Sequence, residues 1–326
     1  MINLELNKKS FKLCNKLIKE SRKLNIGTLS LRNDAKIIDC GINHIGGFEA
    51  AKIVTEIALG GLAEAEIHTK MYDSVKLKEI TVKIKYPAIA TLCSQAAFPI
   101  YSDQKTQFYI CGPGRALFRL PREIFDFLNY YEDSDVAVFI IQDNEFPSLQ
   151  FVERIVRDIK VNPENLCFII TPVPSICGNT QVCAKAVESV IFTLYQAFKW
   201  DIRKISYAEG VTPIVPSYQS ERGSQGGSTP DDFIFYGSSV KLLVDDISEI
   251  EDIAPSLTFK STKVYGKTFL EILKEANGDV RNIDGYPHVF LPAEIIITDK
   301  NGNTIKYGSV EVKRIASMAK TLIKSI

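Results

Sequence analysis

Lys185 and Glu188 stand three positions apart in the stretch Thr171–Glu188, TPVPSICGNTQVCAKAVE. On a helix that spacing puts an ammonium and a carboxylate on one face, about one turn apart. The Pro-, Gly- and Ser-rich turn before them opens the helix, whose first N–H groups are free and carry partial positive charge. A carboxylate able to move a proton, a cation and a donor-rich backbone entry then meet in one place, which is what a small polar active site needs. The flanking residues Val182, Cys183, Ala184, Ala186 and Val187 are apolar or small. The helix therefore reads as mostly buried, and buried Lys and Glu are rare unless paired or functional. The plain alternative is an i,i+3 ion pair on a solvated face.

Three further clusters have the right residue types. Gly112-Pro113-Gly114-Arg115 follows an apolar strand, and its glycines would let backbone N–H groups approach an anion beside the donor fork of Arg115. A tight turn whose arginine pairs locally fits the same four residues. Asp39-Cys40-Gly41 with Gly46-Gly47-Phe48-Glu49 reads as a strand-to-helix turn, with Glu49 at the favourable end of the helix. Tyr207-Ala208-Glu209-Gly210 ends a strand beside a long loop, as a pocket wall or as a plain Pro-stiffened connection.

The elements that must hold these residues follow from periodicity. Helices are expected over 3–24, 48–59, 87–97, 148–160, from the Thr171 turn to about 198, and over 269–276. Strands are expected over 35–40, 63–70, 79–85, 108–111, 136–142, 166–171 and 205–208. A strand or strand pair is expected over 233–244, and a hairpin over 293–307 turning at Asp299-Lys300-Asn301-Gly302-Asn303. Residues 210–232 read as one long irregular loop. Alternating strands and helices give an α/β (α+β) class with mixed sheets. The length of 326 residues favours two domains, placed at about 1–130 and 131–326, the first completed in part by C-terminal segments.

Composition narrows the function. Hydrophobic residues make up 45% and charged residues 24%, and 39 Lys and Arg balance 39 Asp and Glu, so no basic stripe marks a nucleic-acid binder. No apolar run approaches a membrane helix. Seven scattered cysteines, without CxxC spacing and beside only three histidines, read as buried thiols of a reducing cytoplasm rather than as a metal site.

Taken in order, the words Ile38-Asp39-Cys40-Gly41, Gly46-Gly47-Phe48-Glu49-Ala50, Gly60-Gly61-Leu62-Ala63 and Gly112-Pro113-Gly114-Arg115-Ala116-Leu117 form a series. It continues through Pro163-Glu164-Asn165, Thr171 to Glu188, Tyr207 to Pro216, Tyr236-Gly237, Tyr265-Gly266-Lys267 and Pro292-Ala293-Glu294. The series resembles methenyltetrahydromethanopterin cyclohydrolase over nearly the whole chain. The resemblance implies two domains with a ligand cleft between them, a cytoplasmic homotrimer, a pterin substrate and no metal or redox cofactor. It implies hydrolysis of a cyclic amidinium in one-carbon metabolism, with Glu188 as general base and Lys185 as its cationic partner. Within these words the candidate substrate contacts are Arg115, Gly112, Gly114, Ser175, Gln181, Thr171, Asp39, Glu49 and Tyr207. The sequence departs from the family pattern at Lys185, where arginine is usual, at Gly227 to Asp232, at Asn282 to Gly285 and at Cys111. Those departures keep open a paralogue that binds a pterin without efficient turnover, or one that hydrolyses a related amidine.

Overall fold

A computed structural model describes residues 4–103, 106–216 and 228–324. Its strands are β1 (Gly27–Ser30), β2 (Lys36–Asp39), β3 (Ala63–Tyr72), β4 (Val75–Lys85), β5 (Phe98–Asp103), β6 (Thr106–Cys111), β7 (Ala137–Ile141), β8 (Leu166–Ile170), β9 (Ile205–Pro213), β10 (Ser239–Val244), β11 (Glu294–Asp299) and β12 (Thr304–Gly308). The chain divides into two compact units, Met1–Ala65 with Ala88–Gln181, and Glu66–Pro87 with Val182–Ile326. This division replaces the boundary expected at 130/131. Residues 131–181 belong to the first unit because β7 and β8 complete its sheet, while 66–87 supply β4 and most of β3 to the second.

The first sheet runs β1-β2-β8-β7-β6-β5. At its centre β2, β8 and β7 are parallel, with Asp39 opposite Ile170 and Ile170 opposite Ile141. Both faces of these strands are covered, so each reads as an unbroken apolar run. On one face Ile38, Val138, Ile140, Cys167 and Ile169 pack with residues of the helices Leu6–Lys19 and Phe48–Ala58. On the other, Ile37, Phe139, Ile141, Phe168 and Ile170 meet Val152 and Ile155 of the helix Leu149–Ile159. Burial of each such side chain stabilises by about 1.5–3 kcal/mol. The expected strand–helix–strand unit from β7 to β8 is present.

The second sheet runs β12-β11-β10-β9-β4-β3 and is mostly antiparallel. Its strands alternate buried and exposed positions, the pattern of a sheet covered on one face. Helices Ala186–Gln196 and Pro230–Gly237 pack on β9, and Val312–Lys324 packs on β4 and on Pro230–Gly237. The exposed face carries cross-strand pairs, among them Lys83 with Glu66 at 3.1 Å and Lys241 with Glu209 at 2.7 Å.

Several elements differ from expectation. The segment near Pro87 is a π-helical run, Ile89–Gln95, rather than an α-helix. The residues expected to form strand from Phe233 are helical over Pro230–Gly237, and only Ser239–Val244 is strand. The aromatic run Phe233-Ile234-Phe235-Tyr236 favours strand by propensity. A capping box decides otherwise: Asp232 Oδ2 accepts from the Thr229 backbone at 2.7 Å and hydroxyl at 3.0 Å, with Pro230 in the first turn. Of the loop expected over 210–232, residues to Pro213 belong to β9 and those from Pro230 to the helix. Residues 217–227 lie outside the described residues.

Asp232 also accepts the Phe269 N–H on Oδ1 at 2.7 Å, which ties two helix starts together. Asp232→Ala removes the cap and strands a buried donor, so it should cost roughly 2–3 kcal/mol, read as a lower urea midpoint at unchanged slope.

Candidate active site

The helix expected to run unbroken through Lys185 is interrupted. One helix spans Ile176–Cys183, Ala184 and Lys185 form a turn, and a second helix spans Ala186–Gln196. Lys185 is the cap residue of the second helix, and Glu188 lies in its first turn. Both side chains are half-buried, among the buried Cys183, Ala184, Ala186 and Val187. A carboxylate is favoured in a first turn and a cation is not, by about 0.3–1 kcal/mol each. Among the described residues no ion pair joins Lys185 to Glu188, so the direct pairing expected from i,i+3 spacing is replaced by a shared helix entry. Lys185 acts electrostatically on Asp231 of the next helix. Burial pushes the Asp231 carboxyl up to about 6; Asp232 adds to the rise and Lys185 opposes it. Burial pushes the nearby Cys183 thiol up to about 12, so it stays neutral and is a poor nucleophile. Tyr207, half-buried on β9 opposite Lys85 and Leu243, belongs to this same unit.

A second cluster lies in the first unit, at the carboxyl ends of its parallel strands, where α/β sheets bind ligands. Cys40 N–H donates to Ile170 O and Thr171 N–H to Ile141 O, both at 2.9 Å, so the exits of β2, β8 and β7 are level. Thr171 is fully buried, and its hydroxyl has no partner among the described residues. Ser175 lies against Gly41, and its Oγ accepts the Gly178 N–H at 3.0 Å. Gln181, fully buried, accepts from the Gln142 amide at 2.6 Å and donates to Cys111 Sγ at 3.7 Å. Cys111 therefore keeps a polar contact.

Asp39 is nearby but committed. Burial raises its carboxyl, yet hydrogen bonds outweigh that and leave it below the usual range. The donors are His44 Nδ1 at 2.9 Å and the backbone N–H groups of Gly41 at 3.1 Å, Ile42 at 2.7 Å and Asn43 at 2.8 Å. Asp39 shapes the turn after β2. Glu49 pairs with Lys52 at 2.6 Å and is 74% exposed, so it is a helix-surface residue.

Of the two readings of Gly112–Arg115, the tight turn describes its packing. Gly112 has φ +98, open to glycine, and its N–H donates to Ser94 O. Gly114 N–H donates to Val138 O, and a Cβ at Gly114 would sit 2.3 Å from the Phe139 ring. Arg115 is fully buried; its guanidinium donates to the carbonyls of Leu92, Ala96 and Leu120 and lies 4.4 Å over the Phe98 ring. Its two Nη groups hold backbone.

The family profile described as Cyclohydrolase (MCH) matches residues 5–318. The chain belongs to that family. Among its relatives, the methenyltetrahydromethanopterin cyclohydrolase of Methanocaldococcus jannaschii is 30% identical over 315 residues, 95% of this chain and 96% of that one. The protein of the same name from Methanospirillum hungatei JF-1 is 33% identical over 297 residues, 91% and 92% of the two chains. One from Methanococcus maripaludis strain S2 is 31% identical over 322 residues, 97% and 98%. For this cyclohydrolase-family chain, sequence reasoning missed Gln142, His44 and Asp231. Gln142, the first polar residue after a buried strand, had a usable signal; Asp231 is brought to Lys185 only by the fold.

Arg115→Lys should lower stability by roughly 2–4 kcal/mol, since one ammonium nitrogen cannot reach the spread carbonyls that two guanidinium nitrogens serve. Substrate KM of the folded variant should stay put. A raised KM with an unchanged urea midpoint would assign Arg115 to the ligand instead.

Proposed function

We propose that this chain hydrolyses the cyclic amidinium of a methenyl-tetrahydromethanopterin to the formyl derivative. The observation that carries the reading is the placement of Glu188 in the first turn of the helix Ala186–Gln196, with Lys185 as its cap residue, in a chain of this family. The methenyl carbon is cationic and already electrophilic, so the reaction asks mainly for an oriented, deprotonated water and for no metal or redox group. Glu188 takes a proton as the water oxygen bonds to the bridging carbon. One carbon–nitrogen bond then breaks, and the carboxyl returns the proton to the departing nitrogen. The formyl group stays on the other nitrogen, and one proton is released overall. Lys185 supplies a positive charge beside the carboxylate, which favours its ionised form.

The polar strand ends of the first unit, with Thr171, Ser175 and Gln181, are the proposed contacts for the pterin, as is Tyr207 in the second. The reading includes a homotrimer working in the cytoplasm in the one-carbon chemistry of methanogenesis, with light scattering as the check on assembly. Among the described residues no helix is long and apolar enough to cross a membrane.

Purified protein should bleach the near-ultraviolet absorbance of methenyl-tetrahydromethanopterin. Glu188→Gln should cut kcat by about 100-fold or more while leaving binding by calorimetry intact. Undiminished turnover in that variant would remove Glu188 as the base.

A further inference from the structure

The helix Leu6–Lys19 carries five lysines and no acidic residue. Four of them, Lys8, Lys12, Lys16 and Lys19, recur every three or four positions and form one exposed row. Like charges at that spacing weaken a helix, and Lys8 stands in a first turn, which favours anions. Lys8 reaches Glu5 at 3.7 Å, but Lys12, Lys16 and Lys19 have no ion pair among the described residues. The even charge total of the chain hides this local excess.

Beside the row lies a groove of about 500 Å³. Phe11, Asn15 and Ile18 line one wall, and each is followed directly by a lysine of the row. Leu29 and Ser30 of β1 line another. β1 is the edge of the first sheet, pairs only with β2, and leaves Thr28, Leu29 and Ser30 exposed. Native proteins usually cover or blunt such an edge. The groove reaches the amino ends of β2 and β8, so it is separate from the strand exits that hold Thr171 and Gln181.

The second unit carries the complement. Residues 245–252 hold five exposed carboxylates, Asp245, Asp246, Glu249, Glu251 and Asp252, and no cation. Lys300 takes Asp245 at 2.5 Å, and Lys204 takes Glu249. Asp246, Glu251 and Asp252 have no ion pair among the described residues, as three of the lysines have none. Next to them is Trp200, the one tryptophan of the chain. It is half-buried, and its indole N–H donates to Glu249 O at 3.1 Å. Tryptophan is the residue type that most often anchors a protein contact.

We propose that these surfaces meet between copies of this chain, the lysine row and groove of one taking the acidic segment and Trp200 of the next. Contact between two different patches is heterologous, the kind that builds rings. It gives surfaces to the assembly proposed above and rests on that reading for the number of copies. The groove and Trp200 supply the apolar centre, and the charges form a rim that fixes which faces meet.

The test reverses each surface, with Lys12→Glu plus Lys19→Glu in one protein and Glu251→Lys plus Asp252→Lys in another. Lys16 is kept because its charge acts on Glu56. All four side chains are exposed, so circular dichroism and Tm should match wild type. Light scattering should show each reversed protein as a monomer where wild type is assembled, an affinity loss of about tenfold or more. The chain with all four changes should assemble again. Trp200 emission should move to longer wavelength in the reversed proteins, and in wild type at 1 M salt, where the screening length is about 3 Å. An assembled mass in either reversed protein overturns the contact and leaves the assembly standing, as does Trp200 emission unmoved by dilution of wild type to monomer. A wild type that is monomeric throughout removes both, whatever its hydrolysis of methenyl-pterin. Heparin binding lost in the lysine variant at unchanged mass would give the row to another anionic partner, and likewise overturns the contact.

Discussion

A helix that stops at Cys183 and begins again at Ala186 is the constraint on which the proposed chemistry depends. The first piece is held in the first unit through Gln181 on Gln142, Cys177 on the Gly47 carbonyl and Ser175 at its start. The second piece is held on β9 and β10 of the other unit. Without the interruption Lys185 and Glu188 would be interior helix residues with every nearby N–H already bonded. With it, Glu188 stands in the first turn of a new helix, and the carboxylate gains the stabilisation of a helix start. The same interruption puts Lys185 at a helix cap, where the backbone dipole disfavours its charge.

The first unit shows how polar groups can be gathered without loosening a core. Three parallel strands, apolar on both faces, end level with one another, so the first polar residues beyond them fall together. Arg115 serves this arrangement from behind. Its guanidinium gathers the carbonyls of Leu92 and Ala96, at the end of the π-helical run, and of Leu120.

Much of this was legible in the sequence, and the reasons are specific. Buried strands such as Val138 to Ile141 and Leu166 to Ile170 announce themselves as apolar runs, and Asn301-Gly302 announces the hairpin of β11 and β12. Lys185 and Glu188 stood out because charge is rare among small apolar neighbours. The helix break did not, since Ala184 and Lys185 are good helix formers and only tertiary seating parts them. Gly112-Pro113-Gly114-Arg115 left two readings open because glycines that let backbone approach a ligand look the same as glycines that let backbone approach a strand. The helix Pro230–Gly237 was hidden by its aromatic residues, whose strand propensity yields to a cap and to full burial.

The interleaving of the two units has a consequence for synthesis. β3 and β4 leave the ribosome early, yet their sheet neighbour β9 follows about 120 residues later. At ordinary translation rates that is a wait on the order of ten seconds. During it the first unit can close around its completed strands, while β4 waits with an open edge of unpaired N–H and C=O groups. An open edge invites pairing with another nascent chain. Lys76 and Lys78 stand near the start of β4, and Lys83 and Lys85 at its end. Their mutual repulsion between chains guards an edge that the finished protein no longer exposes.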